Sequence, residues 1–400
     1  MVKGVSFNRV VLGNGLTVIH EQRKSPVVAT ASSVTFGAQY ESAGIKGISH
    51  FIEHLVFKGT KKRTVDQISR DVESKGGVIN AFTAEEVTCF WNKLPTKHFS
   101  LGADICRDLV TGPLFEKKSL ERERKVILEE IKMYHDNPGS YVLEKIKLLL
   151  YAQPFNMSIA GTHASVSGIS RERVIDLFKE VYASNNLVFS VVGDVSWEEV
   201  LAQAKKFVSG HKKIHSVPIS LRTGESIEKR QGIDQAHITL GFHMPTLQNK
   251  HRYAAELFDS ILGGGMSSRL FQEIREKRGL CYAVKSNLEQ SRDYAYEVVY
   301  VGTTKDKIAA VKQLTLKEIK KLGKLNSHDL REAQERLIGL REINKEKADS
   351  TMVDLLQEEI GGDAGNYYNY EEQISKVKLA DVRALSKLSG FSFAGLLPAK

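Results

Sequence analysis

Two histidines and a glutamate fall within five residues of an otherwise apolar stretch of this 400-residue chain. His50, Glu53 and His54 form the pentapeptide HFIEH inside GISHFIEHLVFKGT. Histidines four residues apart lie on one face of a helix, with about 6 Å between their Cβ atoms, so both imidazoles can reach one ion. The apolar neighbours predict that the other faces of this helix are buried. Buried imidazoles need partners, and a zinc ion would serve both.

Glu53 stands beside His54 and three residues after His50. From this position its carboxylate can act as a general base next to an ion without binding it. The order H-x-x-E-H reverses the H-E-x-x-H arrangement of many zinc hydrolases. The competing interpretation is an incidental pair of core or surface histidines, which the pentapeptide alone does not exclude. A metal site therefore requires a third ligand elsewhere in the chain.

The segment SLERERKVILEEIKMYHD offers that ligand if it is a helix. One of its faces is wholly charged and contains Arg122, Lys125, Glu129, Lys132 and Asp136. The other face is mostly apolar and contains Glu123, Val126, Ile127, Glu130, Met133 and Tyr134. Carboxylates on a buried face need partners. We therefore predict that Glu130, rather than Glu129, binds the metal and that Glu123 orients one of the ligands.

The order of elements predicts an α+β fold of two similar, duplicated domains, each a mostly antiparallel sheet flanked by helices. A hairpin around Asn14-Gly15 and a further strand precede the HFIEH helix, and TVDQ at 64–67 is a capping box opening a helix that runs to Gly76-Gly77. Strands and helices follow, and a similar order restarts after a Gly-, Pro- and Ser-rich stretch. The predicted division is a catalytic domain over 1–210, a linker over 211–230 and a second domain over 231–400.

Composition excludes several other classes of protein. The net charge of +9 comes from scattered lysines without a recognition motif, so nucleic-acid binding is not expected. The chain contains no apolar run of membrane-spanning length and no secretory signal pattern. Three widely spaced cysteines argue against a disulfide framework and favour a reducing, cytoplasmic location. The triple glycine at 263–265 lacks the rest of a phosphate-loop motif and predicts a turn.

With these residues in place, the chain resembles the M16 family of inverted-motif zinc peptidases, in particular the two-domain branch that includes mitochondrial processing peptidase and its bacterial homologues. Glu130 follows His54 by 76 residues, the spacing at which that family places a ligand glutamate. The resemblance covers nearly the whole chain. Its further matches are FKGT (57–60), GGVINAFTAEEVTCFW (76–91), PLF (113–115), ERERKVILEEI (121–131), GTHASVSGIS (161–170), VVGDV (191–195) and LGGGMSSRLFQEIREKRGLCYAV (262–284).

The resemblance implies one zinc ion per chain, bound by His50, His54 and Glu130, with Glu53 as catalytic base and Glu123 as supporting acid. It also implies a substrate-binding edge strand at Asn80, Ala81 and Phe82, where an extended peptide would pair with the main chain. The two halves are expected to form a clam-like half chamber, completed in a homodimer, that admits peptides or unfolded polypeptides. The second half has no H-x-x-E-H and is expected to enclose the substrate without catalysing. Some members use an Arg–Tyr pair to grip the substrate carbonyl. In SRDYAYEVVYVGT (291–303) tyrosines occur, but no arginine stands at the expected inner position, and Arg292 is a poor substitute by register.

Two functions remain open on the sequence. The first is a zinc endopeptidase in which Glu53 takes a proton from water and passes it to the leaving amine. The second is a non-catalytic, M16-like scaffold or peptide-binding subunit. All five active-site positions carry the residues that catalysis needs, which favours the enzyme.

Overall fold

The computed structural model describes residues 5–399. Its strands are β1 (Ser6–Val11), β2 (Thr17–Gln22), β3 (Val27–Val34), β4 (Val78–Thr83), β5 (Thr88–Pro95), β6 (Leu187–Gly193), β7 (Glu225–Arg230), β8 (Ala236–His243), β9 (Cys281–Gln290), β10 (Ala295–Thr303) and β11 (Ser392–Pro398). Its α-helices are α1 (Ile48–Val56), α2 (Val65–Glu73), α3 (Phe99–Thr111), α4 (Lys117–Asp136), α5 (Pro138–Leu150), α6 (His163–Gly168), α7 (Arg171–Val181), α8 (Trp197–Ala204), α9 (Arg252–Leu262), α10 (Ile308–Lys321), α11 (Ser327–Lys345), α12 (Ala348–Gly361), α13 (Tyr370–Lys376) and α14 (Leu379–Leu385).

Two mixed sheets share one topology. The first has the strand order β1-β2-β6-β3-β5-β4 and the second has the order β7-β11-β8-β10-β9. In each sheet one pair is parallel, β2 with β6 and β7 with β11, and the other pairs are antiparallel. Without β1, the order and direction of the strands are the same in both sheets. The predicted fold class, two similar α+β halves with mostly antiparallel sheets, is thus confirmed.

The compact units are not continuous in sequence. Among the described residues, one unit contains 5–131, 157–218 and 344–368, and the other contains 132–156, 219–343 and 369–399. The helix α5 therefore packs with the second sheet, and α12 packs with the first. These units are defined by contacts in space and not by continuous segments of sequence. The predicted linker at 211–230 and the continuous domains on either side of it therefore stay a prediction.

Both faces of the first sheet are covered by apolar side chains. Neighbouring residues of a strand point to opposite sides of the sheet, so one strand contributes to both cores. Val18 and Phe90 belong to the core on the side of α1, whereas Ile19 and Cys89 pack against the residues of α12. Every residue of β6 is buried. A polar side chain can remain accessible only at the margin of such a core, and the predicted metal site lies at one of these margins.

Local signals placed most element boundaries correctly. The hairpin β1–β2 turns at Asn14-Gly15, and Gly15 has φ +88°. Thr64 and Gln67 form the predicted capping box at the start of α2. That helix ends at Glu73 rather than at Gly76, because a turn that includes Gly76 at φ +74° leads the chain into β4. Within residues 5–399, no helix combines the length and the apolar character needed to cross a membrane.

Candidate active site

The helix α1 presents His50, Glu53 and His54 on one side. Ile48, Phe51, Ile52, Leu55 and Val56 are buried in the first core. The three polar residues of the pentapeptide share the remaining, half-buried face. The predicted near-complete burial of this helix is thus confirmed, and its apolar residues leave one direction for the imidazoles. The ring centroids of the two histidines lie 4.7 Å apart.

The helix α4 brings Glu130 to the same place. Its Oε2 atom lies 3.7 Å from Nε2 of His50 and 3.6 Å from Nε2 of His54. One donor atom from each of the three residues lies within 4.8 Å of the other two. The structure therefore brings together the three residues that the sequence predicted as ligands.

These donors fit a zinc ion. Zinc bonds to imidazole nitrogen and carboxylate oxygen are about 2.0–2.2 Å long, so donors around a tetrahedral ion are about 3.4 Å apart. The separations of 3.6 and 3.7 Å between Glu130 Oε2 and the two imidazole nitrogens are close to that value. Two histidines and one carboxylate are also the donor set of an open, catalytic zinc site. The pKa of His50 is lowered to about 4, first by burial and then by the neighbouring His54, so its imidazole is neutral at pH 7 and able to bind a metal.

Glu123 contacts the other ring nitrogen of His54. Its buried carboxylate has Oε2 3.4 Å from His54 Nδ1 and 3.2 Å from Nζ of Lys58. In the tautomer that donates its Nδ1–H to this carboxylate, Nε2 keeps its lone pair and is free to bind a metal. Glu123 is thus placed to orient His54, as the sequence predicted, and Lys58 neutralises part of its charge.

The two faces of α4 agree with the prediction only in part. Glu129 is exposed, whereas Glu130 is half-buried at the site and Glu123 is buried. However, Val126 and Met133, which were predicted to be buried, are 46% and 60% exposed, and Tyr134 is 37% exposed. The buried residues of α4 are Ser119, Leu120, Glu123 and Ile127. Glu123 follows Leu120 by three residues and Ile127 follows Glu123 by four, so the buried face is a narrow stripe.

Glu53 is held by a residue of the neighbouring sheet. Thr83, the last residue of β4, donates from Oγ1 to Glu53 Oε2 at 2.5 Å. Burial raises the pKa of Glu53, while the hydrogen bond from Thr83 and the proximity of His54 oppose that rise. A raised carboxyl pKa suits a group that must take a proton and later release it near neutral pH.

The predicted substrate strand lies at a sheet edge. Asn80, Ala81 and Phe82 belong to β4, which pairs with β5 and ends the strand order of the first sheet. The backbone N–H of Ala81 already donates to Asn80 Oδ1 at 2.8 Å, so an added peptide strand would have to displace that bond. Phe82 packs toward the core on the side of α12. The structure shows an available edge, and its binding of a peptide stays a prediction.

The strand β10 contains Tyr296 and Tyr300, two of the tyrosines that an Arg–Tyr pair could use. Tyr300 OH lies 2.8 Å from His237 Nδ1. Arg292 precedes the strand and pairs with Asp293 at 3.2 Å. No arginine occurs within β10, in agreement with the departure seen in the sequence.

Thr83 and Lys58 were not predicted from the sequence. Lys58 lies four residues after His54 and just beyond the end of α1, so a helical spacing extended past Val56 could have suggested it. Thr83 lies 30 residues after Glu53, and no local pattern connects the two residues.

The chain belongs to peptidase family M16. A sequence profile described as insulinase, peptidase family M16, matches residues 16–163, and one described as the peptidase M16 inactive domain matches residues 168–337. An uncharacterized zinc protease of Rickettsia bellii is 32% identical over 94% of this chain and 93% of its own length. An uncharacterized zinc protease of Bacillus subtilis is 29% identical over 86% of each chain.

Solved structures show the same fold. A protease from Helicobacter pylori superposes with a TM-score of 0.90, covering 98% of this chain and 99% of that one at 21% identity. A structure from Pseudomonas fluorescens, described as a peptidase M16 inactive domain, has a TM-score of 0.89 at 17% identity and covers 99% of this chain and 98% of its own. At these identities the likeness concerns the fold alone.

Proposed function

We propose that this chain is a zinc-dependent endopeptidase that hydrolyses peptides or unfolded polypeptides, with one zinc ion per chain. The observation that carries the proposal is the convergence of His50, His54 and Glu130, with Glu53 held beside them by Thr83. The names of the family relatives, zinc proteases, support the same chemistry.

In this proposal the chain's own residues divide the work. His50, His54 and Glu130 would hold the ion, and Glu123 keeps His54 in orientation. A bound zinc ion would supply Lewis-acid activation of water and of the scissile carbonyl. Glu53 accepts the proton of the attacking water and then transfers it to the nitrogen of the leaving amine, so it is a carboxylate again at the end of the cycle.

The substrate in this proposal is an extended chain that adds to the free edge of β4 near Asn80–Phe82. Strand addition requires an unpaired backbone, which peptides and unfolded chains offer and most folded proteins do not. An enclosed chamber and a homodimer, both implied by the family resemblance, would restrict folded proteins further. A homodimer is favoured over an obligate hetero-partner because one chain contains both the metal site and the glycine-rich turn of the second half.

The test uses the full-length chain, loaded with zinc and freed from excess metal. It is incubated with peptides of graded length, an unfolded protein and a stably folded protein, and the products are identified by mass spectrometry. We expect internal cleavage of peptides and the unfolded chain, loss of cleavage after chelation and recovery on adding zinc. Sedimentation measures the oligomeric state in the same preparation.

Three results would contradict parts of the proposal separately. Failure to bind zinc would exclude the metal site. Stoichiometric zinc without cleavage of any peptide would favour the non-catalytic subunit. Rapid degradation of the folded protein with peptides untouched would contradict the proposed substrate class even if zinc is bound.

A further inference from the structure

The two histidines of α1 differ at their second ring nitrogen. His54 Nδ1 lies 3.4 Å from Glu123 Oε2. His50 Nδ1 is buried and has no hydrogen-bond partner within residues 5–399. A histidine that binds a metal ordinarily donates its other N–H to an acceptor, which fixes the direction of the ring. The direction of His50 must therefore be set by its backbone and its packing.

That backbone is held by a carboxylate from outside the helix. Glu41 Oε2 accepts the N–H of Gly47 at 2.8 Å, and its Oε1 accepts the N–H of Ser49 at 2.7 Å. The first N–H groups of a helix have no acceptor within the helix. Gly47, the N-cap of α1, has no side chain to serve them. Glu41 thus caps the turn from which His50 projects.

The surroundings of Glu41 are fully buried. Glu41 and Lys46 are both fully buried, and Lys46 Nζ donates to Ala38 O at 2.6 Å. Gly47 has φ +93°, and a Cβ atom there would lie 2.6 Å from the carbonyl oxygen of Ala160. Burial raises the pKa of Glu41 to about 7, and the charge of Lys46 acts against that rise. The first turn of α1 is therefore fixed by this carboxylate and by tight backbone packing.

We infer that Glu41 is a positioning residue for the metal site: it holds the first turn of α1 and so sets the direction in which His50 presents Nε2 toward Glu130. The inference rests on the proposed function, because it assigns His50 to the metal. The hydrogen bonds of Glu41 go to the backbone of Gly47 and Ser49, so its effect is exerted through these two residues.

The test compares Glu41→Gln with Ser196→Ala, a control variant that loses the N-cap of a different helix. The glutamine keeps the size of the side chain but replaces one acceptor by an amide N–H₂ that faces a backbone N–H. Ser196→Ala removes the capping oxygen of α8, a helix of the same unit that carries no predicted ligand. Zinc affinity is measured by competition with a chelator, and the ligand field by the visible spectrum of the Co²⁺-substituted protein. We expect Glu41→Gln to weaken zinc binding about 10- to 100-fold and to change the Co²⁺ spectrum.

Ser196→Ala should leave both readings at the wild-type value, and Glu41→Asp, which keeps both acceptors on a shorter side chain, should recover part of the affinity. Wild-type affinity and an unchanged Co²⁺ spectrum in Glu41→Gln would overturn the inference. An unfolded Glu41→Gln chain, judged by circular dichroism, would also overturn it, because the carboxylate would then support the whole fold rather than His50. Failure of the wild-type chain to bind zinc would instead contradict the proposed function.

Discussion

Thr83 Oγ1 donates a 2.5 Å hydrogen bond to Glu53 Oε2, and this bond joins the last residue of the edge strand β4 to the proposed catalytic base. It stabilises the ionised carboxylate and thereby limits the rise in the pKa of Glu53 that burial causes. The same bond restricts the directions in which the carboxylate can turn. The proposed peptide-binding strand and the proposed base therefore form one structural unit.

Replacing Glu53 by glutamine should leave zinc bound and abolish most of the cleavage. The side chain is placed as a base beside the ligands, and losing a general base lowers the rate by at least about 10²-fold. Zinc content and the peptide cleavage rate are measured on the same preparation. Loss of zinc from this variant would show that Glu53 is a ligand and that the assignment is wrong.

Replacing Thr83 by valine should lower kcat about tenfold or more without loss of zinc. A hydrogen bond to a charged group contributes about 1.5–3 kcal/mol, and valine keeps the shape of threonine without the hydroxyl. Because the bond lowers the pKa of Glu53, its removal should also shift the acid limb of kcat/KM to higher pH. Thr83→Ser keeps the hydroxyl and serves as the control. Equal losses in the serine and valine variants would show that packing, not the hydrogen bond, matters.

The two adjacent glutamates of α4 should differ in their effect on zinc. Glu130→Gln removes a donor that lies 3.6–3.7 Å from both imidazole nitrogens, so we expect zinc to be lost. Glu129 is exposed on another side of the helix, so Glu129→Gln should keep nearly full zinc content and activity. Metal analysis after dialysis and a peptide cleavage assay check both expectations. Similar zinc loss in the two variants would contradict the assignment of faces.

Lys58 and Glu123 should act on zinc through His54. Glu123→Gln should weaken metal binding or turnover about 10- to 100-fold, the usual effect of losing a residue that orients a ligand. Lys58→Met should also weaken zinc binding, by a smaller factor. The loss of zinc affinity in the double variant should not exceed the two single losses combined. Lys62→Met is the control, because Lys62 pairs with Asp104 and is 54% exposed. An effect of Lys62→Met as large as that of Lys58→Met would point to net charge rather than to the Glu123 contact.

Glu297 should make the second unit less stable as the pH rises. This fully buried carboxyl has its pKa raised well above 4.5, first by burial and then by the neighbouring Asp259. In the unfolded chain the group ionises near its ordinary pKa, while in the folded chain it stays protonated. Stability is therefore greatest below the unfolded pKa and falls as the pH rises toward the folded one. Glu297→Gln removes this dependence.

The thermal midpoint of Glu297→Gln should thus exceed that of the wild type by a margin that grows between pH 5 and pH 8. The exposed Glu276, replaced by glutamine in the same way, is the matched control. A constant or shrinking margin would show that Glu297 is ionised in the folded protein.

Local sequence determined much of this molecule. The spacing of His50 and His54 places both on one face of a helix whatever the rest of the chain does, because a helix repeats every 3.6 residues. The capping box at Thr64 and the glycine turn at Gly15 act in the same way, through hydrogen bonds and φ angles within a few residues. The spacing also separated Glu130 from Glu129, although it overestimated the width of the buried face.

Only the tertiary structure decided which distant residues meet. Glu130 lies 76 residues beyond His54, and Thr83 lies 30 residues beyond Glu53. Glu41 is close in sequence, but a short helical turn has to fold it back onto α1. Residues 132–156 and 344–368 pack with the sheet of the opposite half of the sequence. Such contacts depend on how whole sheets and helices bury their apolar faces against one another, and no periodicity of a few residues encodes that outcome. The three proposed ligands and Glu123 could therefore be predicted from the sequence, whereas Thr83, Lys58 and Glu41 were not.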